Sequence, residues 1–298
     1  MAEDNPAQLP SEDQIIETLR AELESAEPSK RNRIIEKVFL AALSVIPWIG
    51  GVLAAAETYR TDEGNLKLNK VQTQWLEEHH KKIRLLMEAL NGIGKRLASL
   101  GEEISQRIES EEYLALVRKA FRVWDESDTD EKRQLLANVL TNSAGTRMCS
   151  DDVIRIFIDW IRMYSEVHFA IIKHVHKERE ATRYGIWVSL YGEKTPREDS
   201  SGADLYRYLI RELSMGGVIR QPRETTGAGE YLYKKPERAR QSSARRTLKS
   251  SFDDIEPYVL TELGREFVHY TMNEGIARIE ETAGPSEPQS PPNPNSNP

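Results

Sequence analysis

Nineteen consecutive uncharged residues, from Val38 to Ala56, constrain the fold of this chain more than any other feature. A run of about 18 or more such residues is long enough for a transmembrane helix. However, Pro47 removes a helix hydrogen bond near the middle of the run, and Gly50 and Gly51 add backbone freedom. Five alanines also lower its apolar content. These features disfavour one straight span.

The same features favour a helical hairpin in which residues 38–46 and 49–56 form two short helices. Pro47 and Trp48 would then lie at or near the bend. Such a hairpin is either buried in the core of a helical bundle or inserted, conditionally or shallowly, into a membrane. A permanent single span is the third possibility. The residues expected to enter a membrane are Val38, Phe39, Leu40, Leu43, Ile46, Pro47, Trp48, Ile49, Val52 and Leu53.

The net charge of −7 is concentrated at the N-terminal end of the sequence. Residues 1–29 hold eight acids and one base, Arg20. Ser11 and Gln14 have the spacing of a capping box, which predicts the start of a short helix. Apolar residues at helical spacing follow the box: Ile15, Ile16, Leu19 and Leu23. We interpret residues 1–29 as an acidic arm that contains a short amphipathic helix.

A long amphipathic pattern follows the apolar run, from Leu66 to Ile108. A single helix of that length would span roughly 65 Å, whereas bending at Gly92, Gly94 or Gly101 would give two packed helices. Apolar residues recur along one side of this segment with a period near 3.5 residues, and we call them the apolar seam. Such a seam predicts packing against a partner surface in the same chain or in another copy. The residues predicted to mediate self-association are Ile83, Leu86, Leu90, Ile93, Leu97, Leu100 and Ile104.

The remaining sequence predicts a compact helical bundle over 111–179 and a different arrangement after 181. There, a helix ending near Gly216, a strand, a polar loop of about thirty residues, a second strand and a final helix follow each other. This order, with Leu260-Thr261-x-x-Gly264 between the last strand and helix, resembles a winged-helix domain. The resemblance implies a module that binds nucleic acid or protein. Residues 283–298 are rich in proline and predict a disordered tail.

The polar loop carries a block of like charge that predicts contact with a polyanion, either nucleic acid or anionic lipid. Its candidate anion-binding residues are Lys234, Lys235, Arg238, Arg240, Arg245 and Arg246. The helix before this loop offers only Arg207 and Arg211 to base edges, and Asp204 and Glu212 offset both. Sequence-selective reading of DNA is therefore not expected.

No residue pattern indicates catalysis, a metal site or a cofactor. The Gly-x-Gly-Lys of residues 92–95 lacks the spacing of a phosphate-binding loop. His174 and His176 are two positions apart and point away from each other on a helix, and we interpret them, with His168, as surface or boundary residues. The single cysteine, Cys149, has no activating neighbour in sequence and fits a reducing cytoplasm. No secretory signal is visible at the N-terminus, which lacks a basic segment.

Residues 35–180 resemble a widespread group of bacterial helical proteins found with mobile elements and defence loci. The similarity rests on the Ile-Pro-x-Ile-Gly-Gly centre of the apolar run, the long helix, and the segments SEEYLALVRKAF and DEKRQLLANVL. The arrangement is more loosely similar to abortive-infection membrane effectors and α-helical pore formers, which hide a hydrophobic hairpin beside long helices. The resemblance implies a non-enzymatic effector of antiphage type.

We therefore predict a mostly α-helical protein with a winged-helix-like α+β part. Its segments are an acidic arm, the membrane-active hairpin, the long helix with its bundle, the winged-helix-like domain with its basic loop, and a tail (1–29, 30–65, 66–180, 181–282 and 283–298). The expected location is the cytoplasm, with conditional association with the inner membrane. Expected partners are an anionic membrane, further copies of the chain, and a protein trigger or nucleic acid. The alternative is a soluble winged-helix regulator or adaptor in which the hairpin is core.

Overall fold

The computed structural model describes residues 30–49, 70–101, 104–178, 180–222, 226, 232 and 250–272. For residues 30–35, 70–80 and 83 it describes the backbone alone. Of the segments named above, residues 1–29 and 283–298 lie outside this part of the chain. The described part is mostly helical, as predicted, with a small three-stranded sheet.

The N-terminal helices are α1 (Lys30–Leu43), α2 (Lys70–Ser99) and the short α3 (Ser105–Glu109). α2 continues through Gly92 and Gly94 and ends just before Gly101, whose φ of 87° lies in the left-handed region. A glycine adopts this conformation without the steric cost that a Cβ brings. The single helix from Leu66 to Ile108 is therefore wrong, and the break falls at Gly101 rather than at the two earlier glycines.

Four further helices form the bundle: α4 (Glu111–Glu126), α5 (Asp130–Gly145), α6 (Asp151–Met163) and α7 (Glu166–Lys177). Hydroxyl side chains begin two of them, since Ser110 accepts the Tyr113 N–H and Thr129 accepts the Lys132 N–H. The cap of α5 is thus Thr129. α4, α5 and α6 pack against one another.

The C-terminal part consists of β1 (Ala181–Thr182), α8 (Arg183–Tyr191), α9 (Ser201–Met215), β2 (Ile219–Arg220), β3 (Pro257–Leu260) and α10 (Glu262–Met272). β3 is the central strand and is antiparallel to both neighbours, with Ala181 opposite Tyr258 and Ile219 opposite Leu260. α9, β2, β3 and α10 lie where the sequence predicted them. β1 and α8 were not predicted, because two residues of strand and nine of helix carry too little periodicity.

One buried core extends across residue 180, since α10 packs on α5 and α7 packs on β3. Phe267 of α10 lies 5.6 Å from Phe157 and 5.4 Å from Trp160, measured between ring centroids. Polar contacts accompany these rings. Asn138 and Asn142 of α5 donate to the carbonyls of Thr271 and Tyr270 at 2.7 and 2.9 Å, which satisfies the acceptors at the end of α10.

Candidate functional site

The described half of the apolar run packs on α3 and α4. Val38 and Ala42 are fully buried, and Ala41 and Ile46 are nearly so. Its larger side chains are less covered: Leu40 is 58% exposed. Half-buried side chains on the same segment are Phe39, Leu43, Trp48 and Ile49. Within the described residues the run is therefore a core segment on which Leu40 is exposed and several other large apolar side chains are half-covered.

The segment turns after α1 and is fixed by two polar contacts. Residues 44–46 leave the helix and Pro47 is the first residue of a new helical turn, a position where proline loses no hydrogen bond. The indole Nε1–H of Trp48 donates to Asp125 Oδ1 at 2.7 Å, and Lys37 Nζ lies 3.2 Å from Glu109 Oε1. The candidate residues Val52 and Leu53 lie outside the described residues. In the part of the chain that the structure describes, none of the helices combines the length and the apolar character that crossing a membrane requires.

The apolar seam of α2 faces the chain's own helices. Leu86, Leu90, Ile93 and Leu97 are each at most 3% exposed, and α2 packs on α5 and α1. Leu100 and Ile104 are half-buried, and the side chain of Ile83 lies outside the described part of the chain. The four buried residues of the seam therefore pack against helices of the same chain. Self-association through the seam stays a prediction.

All six candidate anion-binding residues of the polar loop, Lys234 to Arg246, lie outside the described residues. The structure does describe the C-terminal base of that loop, where Ser251 is buried. Its N–H and its hydroxyl both donate to the Glu198 carboxylate, the hydroxyl at 2.6 Å. Partial burial raises the pKa of Glu198, but hydrogen bonds from Ser250 and Ser251 outweigh it and lower that pKa overall. The loop is thereby tied to the segment that precedes α9.

The outer side of α9 is more apolar than a DNA-reading helix requires. Arg207 donates to Asp204 and to the Glu198 carbonyl, so its charge is already compensated. The exposed large side chains are Leu205 (54% exposed), Tyr208 (56%) and Met215 (77%). The sequence pattern had marked the two arginines of α9 and missed this apolar stripe, whose spacing of three and seven residues was the available signal.

His168 is buried and joins α7 to α9, so its interpretation as a surface or boundary residue was wrong. Its Nδ1 accepts the main-chain N–H of Ser165 at 3.1 Å, which places the proton of the neutral ring on Nε2. Nε2 then donates to Glu212 Oε2 at 3.0 Å, and the Tyr164 ring stacks on the imidazole. Burial lowers the pKa of His168, although the Glu212 carboxylate opposes this.

Ser165, His168 and Glu212 stand in the order of a serine–histidine–acid triad, but the geometry is that of a helix cap. Ser165 is the N-cap of α7 and forms a capping box with His168. Because the Nδ1 lone pair already accepts a main-chain N–H, it is not available as a base for the Ser165 hydroxyl. The cluster therefore stabilises the start of α7.

Cys149 lines an open cleft of about 320 Å³ together with Arg107, Arg147 and Asp151. Arg107 donates to both carboxylate oxygens of Asp151, so the charge of this arginine is compensated. Burial raises the pKa of the Cys149 thiol to about 11, which keeps it protonated at neutral pH. Among the described residues no group of His, Cys, Asp or Glu has an arrangement that would hold a metal ion.

Comparisons with protein families, with curated proteins and with solved structures found no match to this chain.

Proposed function

We propose that this chain is a non-enzymatic bacterial effector that acts on a membrane by releasing its apolar segment from the bundle. Supporting this proposal is one observation above the others: the segment packs on the core and still leaves large apolar side chains partly exposed. Val38, Ala41, Ala42 and Ile46 face the core, whereas Leu40 is 58% exposed. A helix held in this way has apolar surface still to bury.

The energetic argument compares what holds the segment with what a bilayer offers. Fully burying Val38 and Ile46 is worth about 1.5–3 kcal/mol each, and an alanine contributes less. A hydrogen bond to a charged group, such as that from Trp48 to Asp125, adds about 1.5–3 kcal/mol. Release therefore costs on the order of 5–10 kcal/mol. The nine Val, Leu, Ile and Phe residues of the run contribute roughly 3–5 kcal/mol on transfer into lipid. Release therefore needs a trigger or the added attraction of basic residues to an anionic surface.

The charges beside the segment suit the inner leaflet of a bacterial membrane. Lys30, Arg31, Arg33 and Lys37 precede the run, and each basic residue near an anionic surface contributes roughly 1 kcal/mol. The six bases of the polar loop add to the same attraction. We infer a cytoplasmic protein that associates conditionally with the inner membrane, of the abortive-infection type that the resemblance implies.

Flotation of the purified chain with anionic liposomes tests this proposal. Leu40→Asp changes an exposed residue, so it should leave the fold intact and strongly reduce lipid binding at physiological salt, because a carboxylate in the bilayer costs roughly 2.5–3.5 kcal/mol. Ile46→Asp changes a buried residue and probes the core role. A wild type that ignores lipid, together with an unfolded Ile46→Asp variant, would leave the segment as core alone.

A soluble winged-helix regulator or adaptor is the second candidate function. It is favoured by the element order α7, β1, α8, α9, β2, polar loop, β3, and by the sheet order with β3 in the centre. The Leu260-Thr261-x-x-Gly264 motif adds support, since Thr261 Oγ1 accepts the Gly264 N–H at 2.9 Å and donates to the Gly217 carbonyl. Sequence-selective DNA binding at physiological salt would favour this candidate, because phosphate contacts alone are weakened by salt.

A further inference from the structure

α1 carries apolar side chains that the described part of the chain leaves open to solvent. Leu40 is 58% exposed, and Leu43 and Phe39 beside it on the helix are half-buried, whereas Val38 and Ala42 are fully buried. We call Phe39, Leu40 and Leu43 the α1 strip. Covering these large apolar side chains would be favourable through the hydrophobic effect.

The first turn of α1 carries charge of the sign that its own helix disfavours. It contains Lys30, Arg31 and Arg33 and no acid. The start of a helix has a partial positive charge, so cations there are destabilising and a negatively charged neighbour is stabilising. Farther along, Glu36 and Lys37 are both exposed and balance each other. An acidic occupant therefore suits this end of α1.

The acidic arm directly precedes α1 in the chain and has the complementary pattern. It holds eight acids and one base, and Glu22 and Glu24 stand near the end of its predicted helix, with Glu27 just before Pro28. Acids at the end of a helix oppose its partial negative charge. Each of the two helices thus has unfavourable charges at the end that adjoins the other, and an antiparallel pair would set these opposite charges side by side.

The apolar residues of the arm match the α1 strip in position. Residues 26–29 connect the predicted helix to α1, and antiparallel helix pairs are typically joined by about two to five residues. Both helices advance about 1.5 Å per residue. Counted outward from the connection, Ile15 therefore falls level with Leu40, and Glu22 falls level with Arg33. The apolar residues that would cover the strip are Ile15, Ile16, Leu19 and Leu23.

The short connection also favours the same copy over a second one. A segment tethered by a few residues has an effective concentration in the millimolar range, well above that of another copy in a dilute solution. We propose that the acidic arm folds back on the α1 strip of its own chain as a helical hairpin and covers it.

This docking has a consequence for regulation that rests on the function proposed above. An anionic bilayer offers negative charge to the first turn of α1 and apolar contact to the strip, as the arm does. The arm and the membrane therefore compete for the same side of α1, and the docked arm restrains release of the apolar segment.

Cross-linking of the full-length chain without lipid tests the docking. The chain carries Cys149→Ser, Ile15→Cys and Leu40→Cys and is treated with a short bismaleimide, which joins two thiols. We expect a link within one chain, formed at a rate that does not depend on protein concentration and located by mass spectrometry after digestion. The unlinked chain should keep the circular dichroism spectrum of wild type.

Two matched controls separate a docked helix from a flexible arm. Glu17→Cys in place of Ile15→Cys moves the thiol two residues along, to the opposite side of the predicted helix, and should link far less to Leu40→Cys. Leu205→Cys in place of Leu40→Cys offers a leucine position of similar exposure (54%) on α9 and should also link far less to Ile15→Cys.

Charge neutralisation adds a second readout. Glu22→Gln with Glu24→Gln should lower the linked fraction about threefold, the factor expected from two exposed ion pairs. The same pair in an otherwise wild-type chain should increase recovery with anionic liposomes. Linking as expected, with no variant bound to liposomes, would refute the proposed function and leave the docking in place.

Three results would overturn the docking itself. They are equal linking from Glu17→Cys or at Leu205→Cys, links that form only between two chains, and a link from Leu40→Cys to Leu53→Cys that forms faster than the link to Ile15→Cys. The last result would assign the α1 strip to the second half of the apolar run.

Discussion

Trp48 and Asp125 are joined by a hydrogen bond of 2.7 Å between the indole nitrogen and the carboxylate, although 77 residues separate them in sequence. The contact fixes the turn after α1 to the last turn of α4. It is one of two polar contacts described above that tie the apolar segment to the bundle; the other, Lys37 with Glu109, is about half exposed on both sides and therefore weak.

Removing the Asp125 carboxylate should release the apolar segment more readily. Asp125→Ala leaves the Trp48 N–H without this acceptor, at a cost of about 1–3 kcal/mol. We expect greater recovery of the variant with anionic liposomes in flotation, and a lower free energy of unfolding. Glu126→Gln, at the exposed neighbouring position, is the control and should behave as wild type. Unchanged recovery of Asp125→Ala with liposomes would show that the Trp48–Asp125 hydrogen bond does not restrain release of the apolar segment.

Replacing each of two helical glycines, Gly264 and Gly92, by alanine should change the free energy of unfolding in opposite directions. A Cβ at Gly264 would lie 2.2 Å from the Val218 carbonyl oxygen, whereas Gly92 has open space around it. Gly264→Ala should therefore destabilise the chain by about 1–3 kcal/mol through overpacking against backbone. Gly92→Ala should stabilise it by about 0.5–1 kcal/mol through backbone entropy. Chemical denaturation of both variants measures the two effects, and equal shifts would contradict the close approach of Gly264 to the Val218 carbonyl.

Acid should weaken the fold through His168. Burial lowers its folded pKa below the ordinary value near 6.5, so the unfolded chain binds the proton more readily. The stabilising contribution is therefore complete above the unfolded pKa and is lost as the pH falls through the lower folded pKa. Protonating Nδ1 would also set two donors, the ring and the Ser165 N–H, against each other. The other groups that face the ring are Glu212, Tyr164 and Lys132.

Thermal unfolding between pH 7 and pH 5 measures this effect. The wild-type melting temperature should fall more steeply than that of His168→Gln, which carries no titratable ring. His176→Gln changes an exposed histidine and is the control. Parallel pH profiles for wild type and His168→Gln would show that other groups dominate acid sensitivity.

How far the sequence predicts this structure depends on whether a feature is local. The α2 seam, the α9 to α10 succession and the Thr261-x-x-Gly264 turn follow from periodicity and from the hydrogen bonding of neighbouring residues. The sequence does not decide what the seam packs against, because an apolar repeat predicts a partner surface without showing whether it belongs to the same chain or to another copy. In the structure Leu90 and Leu97 face the same chain.

The contacts that matter most to the candidate site are long-range. Trp48 with Asp125 and His168 with Glu212 join residues 77 and 44 positions apart, and no local pattern pairs them. His168 carried a weak signal, since Ser165-x-x-His168 has the spacing of a capping box with an unusual third residue. The exposed apolar side chains of α9 recur at helical spacing in the sequence, but that spacing alone does not distinguish an exposed side from a buried one.

The basic loop should bind polyanions without selecting among them. Replacing Lys234, Lys235, Arg238, Arg240, Arg245 and Arg246 by glutamine should weaken binding to DNA and to anionic liposomes alike. The loss should be greatest at low salt, because the binding arises from counterion release. Titrations at two salt concentrations measure it. Sequence-selective DNA binding that survives the replacement and physiological salt would instead support the regulator.

Liposome flotation of three chains tests the central claim, that the apolar segment acts on a membrane. Wild type, Leu40→Asp and Ile156→Asp are compared with anionic vesicles; Leu40 is 58% exposed on the apolar segment and Ile156 is 41% exposed on α6. Wild type and Ile156→Asp should float with the vesicles at physiological salt, where the basic loop binds weakly. Leu40→Asp should float far less under the same conditions, with an unchanged circular dichroism spectrum. Equal soluble recovery of wild type with and without lipid, or equal flotation of all three chains, would contradict the account.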